Sequence, residues 1–122
     1  MIRHLFVYGT LRPGEERWPH LEPFVVDEGS DETVAGALYD TGNGYPAARF
    51  DRTGSIRGRI YELRADHVDE ALRLLDDVEG AVLDLFHRVE VRTSSGRRAW
   101  AYEYAGDARF AEIPSGSWLQ RP

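Results

Sequence analysis

The strongest constraint on the fold is a change of period just after Leu63. From Ile56 to Leu63 the chain alternates, with Ile56, Gly58 and Ile60 on one face and Arg57, Arg59 and Tyr61 on the other. That is the two-residue period of a strand. In the following ADHVDEALRLLDDVEG, apolar residues fall at Val68, Ala71, Leu72, Leu75 and Val78. That is the spacing of an amphipathic helix. Asp66 stands where an N-cap belongs, and Gly80 where a helix C-terminal glycine belongs.

The rest of the chain reads as strands and turns. His4 to Tyr8, Thr33 to Tyr39, Tyr45 to Phe50, Phe86 to Thr93 and Ala99 to Tyr104 have strand character. Asp40 to Gly44 and Asp51 to Gly54 are dense in turn residues, and Ser94 to Arg97 suits a hairpin connection. Residues 12–23 are polar and contain proline, so they read as loop with at most a helical turn. The tail from Ala105 is irregular, with Trp118 expected to dock part of it. Five or six strands with one clear helix predict an α+β domain whose sheet closes into a small barrel to bury its edges. At 122 residues the expected organisation is a single domain, 1–122.

Several function classes are excluded by what the sequence lacks. It has no cysteine, hence no disulfide framework, thiol nucleophile or thiolate metal site. All fifteen Lys/Arg cations are arginine, which removes Schiff-base chemistry and lysine-dependent phosphate loops. The net charge is −6, with no basic cluster beyond Arg97–Arg98, so no nucleic-acid partner is expected. No apolar run approaches the roughly 20 residues of a membrane span, and the apolar stretch in MIRHLFVYG is short for a signal peptide. The expected location is the cytoplasm, without a membrane partner.

Two stretches carry candidate chemistry. In FVYGTLRPG, Gly9 and Gly14 follow a strand, where backbone N–H groups can form a nest for an anion. Glu15 stands where a nucleotide-binding loop has lysine, so a carboxylate suits the loop better than a triphosphate. The same pattern is also that of a plain turn after an edge strand. In LDDVEG, Asp76, Asp77 and Glu79 gather at the helix C-terminus, the end where the dipole disfavours carboxylates. Such a group, with its proton affinity raised by these neighbours, can serve as both general base and general acid. The plainer reading is three solvated surface acids. The histidines His4, His20, His67 and His87 have no metal-site spacing, and no serine lies in a G-x-S-x-G elbow. Trp100, Tyr102 and Tyr104 form a stripe that reads either as core or as a pocket wall.

These motifs together resemble the γ-glutamylcyclotransferase-like family, in the branch with the γ-glutamylamine cyclotransferases and plant avirulence-induced-like proteins. The resemblance runs nearly end to end through VYGTLRPG, GALYDTGNGYPAARF, IRGRIYEL, LDDVEG and IPSGSW, in that order. It implies a small mixed β-barrel with one main helix and short flanking helices. It implies a substrate loop at Tyr8, Gly9, Thr10 and Leu11, whose N–H groups meet a carboxylate of a γ-glutamyl moiety. It implies Glu79 as general acid/base. Beside these, Tyr45, Phe86 and Tyr102 are read as further candidate substrate-binding positions, with Tyr39, Tyr45 and Tyr102 as pocket walls assembled from distant segments.

The implied reaction is attack of the substrate's own α-amine on its γ-carbonyl, giving 5-oxoproline and a released amine or amino acid. No metal, cofactor or covalent intermediate is required. The expected partner is a small γ-glutamyl compound, and the expected state a monomer or weak homodimer. Two features depart from the family pattern. Phe86 stands where the family often has tyrosine, with Arg88 retained in FHR, and Ser117 replaces the usual aspartate. Two other readings stand beside the main one: removal of a γ-glutamyl protecting group in a biosynthetic pathway, and a non-catalytic module binding a small amino-acid-like carboxylate.

Overall fold

The computed structural model describes residues 2–9, 18–42, 44–77, 86–106 and 109–118, with only the backbone of His20. In chain order its elements are β1 (His4–Val7), α1 (Trp18–Leu21), β2 (Ser30–Ala35), β3 (Ala37–Asp40), β4 (Pro46–Arg49), β5 (Ser55–Glu62), α2 (Val68–Asp76), β6 (Phe86–Arg92), β7 (Arg98–Tyr104) and β8 (Ala111–Glu112). The main sheet has the order β2-β5-β1-β7-β6, and a smaller sheet the order β4-β3-β8. β1 runs parallel to β7 and antiparallel to β5. This is the expected α+β architecture with one main helix. Among the described residues no helix is long and apolar enough to cross a membrane.

Alternation along β1 divides the core. Leu5 and Val7 face α2, where they meet Tyr61, Leu63, Tyr102 and the helix residues Val68, Ala71, Leu72 and Leu75. Those four helix positions are all buried, as the period requires. Phe6 and Tyr8 face the other way, onto Leu38, Ala48, Ile56, Ile60, Ala101, Ile113 and Trp118. The main sheet is therefore covered on both faces, by α2 on one and by the small sheet with the tail on the other. This is why Tyr61, on the face of β5 shared with Arg57 and Arg59, is fully buried.

Three expectations need correction. The strand read from Thr33 to Tyr39 is two strands, broken at Gly36, where the chain leaves the main sheet for the small one. Among the described residues the sheets are not closed into a barrel by a strand ladder. Instead the β6–β7 turn reaches the opposite edge, with Ser94 N–H donating to the Thr33 carbonyl at 2.9 Å. Asp66 is not the cap of α2: a 3₁₀ turn over Ala65–His67 comes first and places His67 before Val68. Gly80 lies outside the described residues.

The contact between turn and edge strand carries a pH prediction. The Ser94 and Ser95 hydroxyls donate to the Glu32 carboxylate at 3.0 and 2.6 Å. The Ser95 bond, foremost, holds the Glu32 carboxyl below its ordinary value of 4.5. A carboxyl depressed in the folded state stabilises fully above its unfolded pKa, and that contribution fades as pH falls through the folded one. Glu32→Gln should therefore show a shallower fall in Tm on acidification below about pH 4.5 than the parent protein. Parallel Tm–pH curves for the two would refute this role.

Candidate functional site

β1 delivers Tyr8 and Gly9 to one end of the main sheet. Tyr8 is buried, and its hydroxyl donates to the Tyr102 carbonyl on β7. Its ring meets the edge of Phe50, with centroids 6.3 Å apart. A Cβ on Gly9 would lie 2.9 Å from Pro46 Cγ, so only glycine allows the loop to start against the first residue of β4 without displacement.

The β6–β7 hairpin supplies the next wall. Its register pairs Phe86 with Tyr104, Arg88 with Tyr102 and Glu90 with Trp100. Tyr45, just before β4, meets Phe86 edge-to-face at 5.9 Å. Phe86 meets Tyr104 at 5.5 Å, and Tyr104 meets Phe110 at 5.4 Å. Edge-to-face pairs at these separations are favourable for aromatic quadrupoles. Tyr45 and Phe86, 41 residues apart in the chain, are thus brought into contact.

The C-terminal end of α2 closes the arrangement from the helix side. Arg88 donates to both oxygens of Asp76, from Nε to Oδ1 at 3.0 Å and from Nη2 to Oδ2 at 3.3 Å. The Tyr102 hydroxyl donates to Asp76 Oδ1 at 2.7 Å. The Arg88 guanidinium lies 4.6 Å from the centre of the Trp100 ring, within range of a cation–π contact. A cavity of about 580 Å³ opens beside the pair, lined in part by Val68, Leu72, Arg73, Asp76, Arg88 and Trp100. Tyr8, Gly9, Tyr45, Phe86 and Tyr102 are not among its lining residues.

Tyr8, Gly9, Tyr45, Phe86 and Tyr102 are therefore joined by direct contacts or immediate chain neighbours. Glu79, Thr10 and Leu11 lie outside the described residues. Tyr39 lies on β3, where it pairs with Ala47 and Glu112. Of the aromatic stripe, Tyr102 and Trp100 pack against the α2 core, which favours the core reading for them. The sequence reading missed the partners of Asp76. One signal was available: a hairpin centred on Ser95 sets Arg88 opposite Tyr102, on the face turned to the helix.

Two packed sheets with a helix over the larger, and Tyr8 and Gly9 at the end of β1 beside the β6–β7 hairpin, define a γ-glutamylcyclotransferase-type domain. The chain matches the family described as gamma-glutamyl cyclotransferase, AIG2-like, over residues 5–120. It belongs to that family and is a γ-glutamylcyclotransferase-like enzyme. It is 34% identical over 125 residues to the γ-L-glutamyl-butirosin B γ-glutamyl cyclotransferase of Niallia circulans, covering 96% of this chain and 76% of the relative. Among solved structures it is similar to the Escherichia coli protein ytfP, at 28% identity and a TM-score of 0.66, covering 97% of each chain. The fold is also that of a mouse AIG2-like protein, with 22% identity and a TM-score of 0.67 over 99% of this chain and 84% of that one.

Proposed function

We propose that this enzyme converts a γ-glutamyl amine or γ-glutamyl amino acid to 5-oxoproline, with Glu79 as the general acid/base. The observation that carries the reading is the convergence of Tyr8, Gly9, Tyr45, Phe86 and Tyr102 at one end of the sheet, joined by Asp76, three residues before Glu79. The loop N–H groups at Tyr8 to Leu11 hold the carboxylate end of the glutamyl moiety. Tyr45 and Phe86 form an aromatic wall beside it.

The substrate's α-nitrogen forms a bond to its own γ-carbon, and the amide C–N bond to the leaving group breaks. The α-nitrogen gives up one proton and the leaving nitrogen gains one, so a single carboxylate serves both transfers. Both reacting groups belong to one molecule, and holding it in a cyclised-like conformation supplies much of the acceleration. Phe86 provides ring surface without a hydroxyl, so it shapes the pocket and donates no hydrogen bond. The named substrate of the Niallia relative supports including γ-glutamyl groups carried on compounds other than amino acids.

Mass spectrometry for 5-oxoproline tests the reading. The protein is incubated with γ-glutamyl amino acids, γ-glutamyl-ε-lysine and simple γ-glutamyl amines. Product with at least one of them, absent from a Glu79→Gln control, is expected. Intact substrate throughout, from folded protein, would overturn it in favour of a module that only binds such ligands.

A further inference from the structure

We infer that Asp76, Arg88 and Tyr102 form a positioning unit that sets the place of the chain carrying Glu79 relative to the substrate loop. The inference rests on the catalytic reading above, because it concerns how Glu79 is aimed. None of the three residues need touch the reacting atoms.

Three observations carry it. Asp76 is the last residue of α2, three residues before Glu79, and it receives three donor contacts from two different strands. A paired guanidinium fork fixes both distance and orientation of a carboxylate, which a single charge contact does not. Tyr102 then links two parts of the site: its hydroxyl holds Asp76, and its carbonyl holds the hydroxyl of Tyr8. The helix end and the start of the loop are thus referred to one residue of β7.

Stability alone is a weak reason for this unit. The Asp76 side chain is 41% exposed and that of Arg88 26%, a setting in which ion pairs contribute little to folding. The same hairpin offers an internal control. Arg98 also grips a carboxylate with two bonds, to Glu90 at 2.8 Å each. That pair is exposed on both sides and joins neighbouring strands only. It has the same chemistry without the connection to helix or loop.

The experiment measures kcat, KM and Tm for Tyr102→Phe, Arg88→Ala, Arg88→Lys and Arg98→Ala, with Glu79→Gln alongside. Tyr102→Phe keeps the ring and removes only the hydroxyl. It should lower kcat about tenfold, since small misplacements of reacting groups cost up to about a hundredfold, with KM and Tm little changed. Arg88→Ala should lose more, and Arg88→Lys should recover part of it. Arg98→Ala should match the parent in kcat. Combining Tyr102→Phe with Arg88→Lys should cost less than the product of the two separate losses, because both act through Asp76.

A kcat unchanged in both Tyr102→Phe and Arg88→Ala, with or without a fall in Tm, would overturn the positioning unit. It would leave the catalytic reading standing if Glu79→Gln is inactive. Full activity in Glu79→Gln would overturn the catalytic reading and the inference with it. Should Arg88→Ala fail to fold, Tyr102→Phe and Arg88→Lys decide the matter.

Discussion

Glutamine at position 79 is expected to lower kcat by about 10²–10⁴-fold, the usual contribution of a positioned acid/base, while thermal unfolding and much of the ligand affinity stay intact. Glutamine has nearly the shape of glutamate but cannot take up the proton from the α-amine and return it to the leaving nitrogen. The neighbouring acids offer no substitute. Both oxygens of Asp76 already accept from Arg88, and one also from Tyr102, while Asp77 is exposed. Single-turnover assays on γ-glutamyl substrates, with unfolding curves on the same preparations, check this. Turnover in Glu79→Gln within a few fold of the parent would remove Glu79 from the mechanism. Glu79→Asp should fall between the two, because the carboxylate is kept but drawn back by one methylene.

The elements that could be read from the sequence are those whose signal is local. The helix spacing of Val68, Ala71, Leu72 and Leu75 became four buried positions on α2. The alternation from Ile56 became β5, paired over Ser55–Ala35 to Ser30–Ile60 with β2. What failed was what depends on non-local geometry. Gly36 within Thr33–Tyr39 is a local hint of a break, but where the chain goes next depends on distant partners, among them Gly54, whose carbonyl accepts the Gly36 N–H at 3.1 Å. The need to protect edges points to barrel closure, yet here turn contacts at Thr33 and Glu32 guard the β2 edge instead. At the site, residue types were legible and partnerships were not. Asp76 read as one of three helix-end acids in an unfavourable dipole field. The structure supplies the compensation from β6 and β7, and that pairing appears in no run of consecutive residues.

The C-terminal IPSGSW segment illustrates the same division, and among the described glycines Gly116→Ala should produce the largest loss of stability. Gly116 has φ +69°, in the left-handed region, and a Cβ there would sit 1.9 Å from the Ser55 carbonyl oxygen. The left-handed conformation alone costs alanine roughly 1–2 kcal/mol. The clash adds more, because its partner is backbone within β5 and cannot swing aside. Relief requires the tail to lift, which breaks the 2.7 Å bond from Arg57 N–H to the Gly116 carbonyl. It also draws Ile113 and Trp118, 2% and 3% exposed, out of the core against the small sheet. The expected cost is about 3 kcal/mol or more, in the range reserved for strain combined with lost core packing. Gly96→Ala separates the contributions. Gly96 has φ +87° with nothing within 4 Å of the added carbon, so only the conformational penalty applies and the loss should stay at roughly 1–2 kcal/mol. Equal losses in urea unfolding for the two variants would show that the tail yields freely. A much larger loss for Gly116→Ala would show that the glycine in IPSGSW is required to seat the tail against β5.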